Sequence, residues 1–99
     1  MEMIAAEELE QLIVEVRREF QIPPFFPDDS LENYIKEGYT RLMKLNPVAQ
    51  LKFDLDFRML LKNYTYYAYH HKINEWEKNY NSLILSWQLG SEVGMDADA

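Results

Sequence analysis

Few side chains in this sequence stand where reacting groups usually stand. His70 and His71 are adjacent, and His71 lies one helical turn before Glu75, a spacing that puts two possible metal ligands on one helix face. On the same helix His70 points about 100° away from His71, so it adds no third ligand. No His-Glu-x-x-His pattern and no cysteine accompanies them. A partly buried histidine beside tyrosines is the expected role, and no metal is expected. Asp54 and Asp56 resemble a carboxylate pair, but they sit where a helix should begin. Acids there satisfy free N–H groups and complement the helix dipole. Ser30, Ser82, Ser86 and Ser91 all lack a nucleophile-elbow context, and no glycine-rich phosphate loop occurs. The chain is therefore expected not to be an enzyme and to carry no cofactor.

The strongest local pattern is aromatic: Tyr64, Tyr66, Tyr67 and Tyr69, followed by Trp76, Tyr80 and Trp87. On a helix Tyr66 points away from Tyr64, and Tyr69 away from Tyr67, so one core face does not bury them all. Tyrosine and tryptophan are enriched as anchors of subunit interfaces. Tyr66, Tyr69, Ile73, Trp76 and Tyr80 are accordingly expected to form the main subunit interface. Base stacking on these rings needs a basic groove, and 54–89 balances four acids against four bases.

Three periodic segments must position these residues. The first helix is expected over 3–20, with Leu9, Leu12, Ile13, Val16 and Phe20 as one stripe and glutamates over much of the remaining face. The run Ile22-Pro23-Pro24-Phe25-Phe26-Pro27 ends it. The second helix starts at Asp28 or Asp29, with Asp29 and Glu32 spaced as a capping box, and Asn46-Pro47 stops it. Its stripe is Leu31, Tyr34, Ile35, Leu42 and Leu45, and Gly38 falls on that face, where it permits a close approach. From 54 to 89 there is neither proline nor glycine. The apolar face nevertheless turns by more than about 100° between Phe57, Leu60, Leu61, Tyr64, Ala68 and Ile73, Trp76, Tyr80, Leu83, Ile84, Trp87. Either this helix breaks near His71–Asn74, or one continuous helix buries its halves against different neighbours.

The 99 residues suffice for one domain, 1–90, with Gly90 as a helix C-cap and 91–99 as a flexible acidic tail. Hydrophobic residues make up 47% of the chain, which excludes intrinsic disorder. The expected fold is all-α, a small bundle of three to four helices with a long C-terminal helix. The N-terminus lacks the basic region of a secretory signal and no apolar run spans a bilayer, so the chain is expected to be intracellular at synthesis, without membrane contact. Net charge is −7, and residues 1–37 carry ten acids against Arg17, Arg18 and Lys36. Such a surface repels phosphate and argues against sequence-independent nucleic-acid binding.

Several of these segments together resemble the helical core of tailed-bacteriophage head–tail connector proteins, the adaptor subunits that form a ring beneath the portal. The resemblance rests on Asp29-Ser30-Leu31-Glu32-Asn33-Tyr34-Ile35 with Leu42, and on Asp56-Phe57-Arg58-Met59-Leu60-Leu61-Lys62-Asn63-Tyr64. It continues through Tyr67-Ala68-Tyr69 and Trp76-Glu77-Lys78-Asn79-Tyr80 to Ile84, covering about 28–89. The Pro-Pro-Phe-Phe-Pro connection and the aromatic-rich third segment depart from the commoner form. The resemblance implies a ring-forming subunit, commonly a dodecamer, without enzymatic activity. It also implies a portal protein and a downstream head-completion or tail-joining protein as partners, and DNA only as passing cargo. The implied location is the virion head–tail interface, and the host cytoplasm during assembly. The alternative is a small helical protein-binding regulator, antitoxin-like or an adaptor module, acting as a dimer or heterodimer.

Overall fold

The apolar stripes become four helices in the computed structural model, which describes residues 3–97, with side chains described through Gly90. These are α1 (Ala6–Glu19), α2 (Asp28–Leu45), α3 (Leu55–Tyr69) and α4 (Ile73–Ala97). No strand occurs among the described residues. The expectation of a flexible segment at 91–99 falls outside the described side chains. Gly90 lies within α4 and is not its cap.

Helix α1 turns Leu9, Leu12 and Val16 inward. It closes through Gln21, whose φ of 51° is left-handed, while the Ile22 N–H donates to the Arg17 carbonyl at 3.1 Å. That bond is the terminal closure glycine usually serves. Arg17 then organises the proline-rich connection. Its guanidinium donates to the carbonyls of Pro23 (3.0 Å) and Phe26 and to the Asp28 carboxylate (2.6 Å). The expected capping box does not form. Helix α2 begins at Asp28, behind Pro27, with no side-chain cap, and Glu32 pairs instead with Lys36 at 3.1 Å.

Asp54 caps α3 as its position suggests: Oδ1 accepts from the Phe57 N–H at 3.0 Å. Its second oxygen accepts from Trp87 Nε1 at 2.8 Å, tying the start of α3 to α4. The segment 54–89 is broken. Helix α3 ends at Tyr69, His71 takes a φ of 58°, and the Lys72 N–H donates to the Tyr67 carbonyl at 2.8 Å. The chain reverses there, and α4 folds back along α3.

Helix α3 is the centre, packed closely by α1, α2 and α4. Leu12, Ile35, Leu42, Phe57, Leu60 and Leu61 are fully buried around it, and Tyr64 nearly so. Gly38 lies against the Tyr64 ring. A Cβ there would stand 2.6 Å from Tyr64 Cδ1 and 2.8 Å from Leu61 Cδ1, so the close approach is to side chains of α3. A smaller cluster of Val16, Ile22 and Leu31 fills the space beneath the proline-rich connection.

The glutamates of α1 are only partly a solvated face. Arg58 donates to Glu8 at 2.7 Å and to Glu15 at 2.6 Å, while Lys62 reaches Glu15 at 3.3 Å and Glu19 at 2.8 Å. The Arg58 hydrogen bonds, and less so those of Gln11 and Lys62, outweigh desolvation and hold the Glu15 carboxyl at about 2, against an ordinary 4.5.

Candidate subunit interface

The five residues expected to form one interface do not share one surface. Tyr66 and Tyr69 lie at the C-terminal end of α3, beneath the α1–α2 connection. The Tyr66 ring stacks on Phe20 at 4.4 Å and 16°. Tyr69 meets Phe26 edge-on at 4.8 Å and covers the smaller cluster. His70 sits between these tyrosines, 4.6 Å from Tyr66 and 4.9 Å from Tyr69, as an aromatic neighbour.

Ile73, Trp76 and Tyr80 belong to the α4 side that faces α3. Trp76 is 1% exposed. Its Nε1 donates to the Leu60 carbonyl at 3.2 Å, and its ring meets Tyr64 edge-on at 5.0 Å. Ile73 and Tyr80 are half-buried against the same core, and Tyr80 meets Tyr67 edge-on at 5.9 Å. Burial raises the hydroxyls of Tyr64 and Tyr80 above the ordinary tyrosine value, and both stay neutral and packed. Trp76 is therefore a core residue and is not available as an interface anchor. The reversal at His71 brings the second apolar face of 54–89 onto the first, which removes the surplus that motivated the expectation.

The reversal also undoes the His71–Glu75 pairing. His71 stands in the turn outside both helices, and Glu75 faces Lys72 at 3.8 Å. Among the described residues no cluster of three His, Asp or Glu is placed to hold a metal.

Exposed apolar side chains lie elsewhere. Met3, Val48, Phe53 and Leu55 surround the α2–α3 connection, and Leu55 and Met3 are 82% and 81% exposed. Phe25 projects from the opposite end at 86%. Most of these residues fall in connections or at helix starts, so helical periodicity gives no signal for them. Leu45, Leu85 and Leu89 form a third exposed group, beside the cleft between α2 and α4. That cleft has a volume of about 460 Å³, is floored by Trp76 and Ile84, and is flanked by Arg41 and Lys44. A ligand pocket normally encloses convergent buried polar groups. An apolar floor with a charged rim is the pattern of a protein contact. No helix of the described residues is long and apolar enough to cross a membrane. No known protein family matches the chain, and neither a curated protein nor a solved structure matches it.

Proposed function

We propose that this chain is a structural docking subunit, a head–tail connector of a tailed phage or prophage that assembles as a ring beneath the portal. One observation carries the reading. The motifs that resemble the connector core fall on α2, α3 and the first part of α4, which pack on one another around Leu60, Leu61 and Tyr64. The resemblance thus follows one folding unit and not scattered helix patterns. Exposed Met3, Val48, Phe53 and Leu55 at one end and Phe25 at the other supply separate patches for different neighbours. A net charge of −7 suits a wall past which DNA slides, because acids repel phosphate. On this reading the chain acts in the virion, and in the host cytoplasm while the particle is built.

The burial of Trp76 favours a second reading, a small helical regulator that binds one partner, since the chain closes its core without neighbours. Mixing the protein with isolated portal rings separates the two. Sedimentation with the portal in multiple copies per ring is expected of a connector. Binding of no portal, with a mass that stops at the dimer, would contradict it.

A further inference from the structure

The cleft between α2 and α4 has the shape of a missing helix. Both helices pack closely on α3, yet not on each other. Arg41 reaches Glu77 at 2.6 Å, and Gln88 donates to the Leu45 carbonyl at 2.8 Å. Between these bridges lies apolar surface: the edge of Trp76, Ile84 and the half-exposed Leu85. The cleft continues along α2 to Ile73, past Arg41 and Lys44, which line both parts. From Ile73 to Gln88 it runs about 22 Å at the helical rise.

Its charge differs from that of the molecule. The α2 wall presents Lys36, Arg41 and Lys44 against the single carboxylate Glu37, in a chain of net charge −7. Lys44 has no ion-pair partner among the described residues. The chain itself carries a helix of matching character. The outward face of α1, opposite Leu9, Leu12 and Val16, shows Glu7, Glu10 and Val14. Val14 is 47% exposed, and neither glutamate has a partner among the described residues. With 14 residues α1 is about 21 Å long, the length of the cleft. Arg18 at its far end gives the pattern a direction, since it meets Glu37 when Glu7 and Glu10 meet Lys44 and Arg41.

We infer that the α2–α4 cleft receives the outward face of α1 from a second copy of this chain, with Glu7 and Glu10 against Lys44 and Arg41 and Val14 against the apolar floor. Helix-in-groove packing supplies the geometry, and the charges choose register and polarity. Donor and acceptor are different patches, so the contact is head-to-tail and builds a ring or filament, not a closed dimer. The inference rests on the self-assembling part of the connector reading and needs no portal.

Charge reversal tests it with the protein alone, in sedimentation velocity over a concentration series. The wild type is expected to grow in mass beyond a dimer. Glu7→Lys with Glu10→Lys, and separately Lys44→Glu, should each weaken assembly at least about tenfold, because like charges then face each other. All three positions are exposed, so unchanged melting temperatures verify folding. Mixing the two variants should restore assembly, since each acidic cleft then meets a basic α1 and each basic cleft an acidic one. A wild type that stays monomeric, variants that assemble like the wild type, or a mixture that fails to recover would overturn the inference. Portal binding with no self-assembly would sink this contact and leave the connector reading standing. Self-assembly without portal binding would do the reverse.

Discussion

At the scale of single residues, two side chains opposite each other set the spacing of the bundle. Gly38 exists where it does because the Tyr64 ring occupies the space of a Cβ, with contacts as short as 2.6 Å and 2.9 Å to its Cδ1 and Cγ. These atoms lie at the root of a buried ring that also meets Trp76, and they have nowhere to go. Gly38→Ala gains about 1 kcal/mol of helix propensity but should lose about 1–3 kcal/mol to overpacking, for a net fall in stability. Denaturant unfolding of the variant checks this; a rise would mean that α2 and α3 can part without cost. Trp76→Ala is expected to cost about 3–5 kcal/mol, the usual range for emptying a core aromatic site. A melting temperature close to wild type would return Trp76 to the surface.

At the scale of elements, the account turns on why α3 and α4 are two helices. The periodic stripes were legible in the sequence: Leu12, Val16, Ile35, Leu42 and Leu61 are fully buried and Tyr64 nearly so. The rotation of the apolar face after Ala68 was legible too, but not its resolution, because the turn contains neither glycine nor proline. His71 adopts the left-handed conformation without the residue that normally announces it. His71→Gly therefore discriminates by sign. At a left-handed closure glycine should stabilise by up to about 1 kcal/mol, whereas inside a continuous helix it would cost about that much. Thermal unfolding reads the difference.

The attachment of α1 to α3 was not legible, since Glu15 lies 43 residues from Arg58 and no local pattern pairs them. Nor was the failure of the capping box, which loses to Arg17 gathering the preceding connection around Asp28. The α1–α3 network has its own pH signature. The Glu15 carboxyl is depressed to about 2 in the folded chain against an ordinary 4.5, so its stabilisation is complete above about pH 4.5 and disappears as pH falls towards 2. Urea unfolding at pH 5, 4 and 3 should show falling stability, and Glu15→Gln should be less stable at pH 5 with a flatter profile below it. An equally steep profile in the variant would assign the acid sensitivity to other carboxylates.

At the scale of the whole molecule, folding α4 back changes which surfaces are left for partners. A chain with one uninterrupted third helix would expose Trp76 and Tyr80 and dock through them. The chain with a hairpin buries Trp76, closes its core around α3, and presents the α2–α4 cleft and its two ends instead. The expected interface was wrong in its largest residue for this reason: sequence periodicity shows that two apolar faces exist, not that they face each other. The site that replaces it, with Arg41 and Lys44 over Leu85 and Ile84, draws on helices roughly 40 residues apart in sequence and emerges only from tertiary packing.

The most direct test is the distance across the hairpin. The chain has no cysteine, so Leu55→Cys with Leu89→Cys gives two unique and exposed sites for spin labels at the ends of the segment. Packed helices lie about 8–10 Å apart, and Trp87 already touches Asp54, so pulsed dipolar spectroscopy on the folded monomer should find the labels within about 25 Å. A single continuous helix would separate them by about 50 Å. The short distance is the expected result; a distribution centred near the long one would contradict the buried Trp76, the α2–α4 cleft and the docking mode built on it.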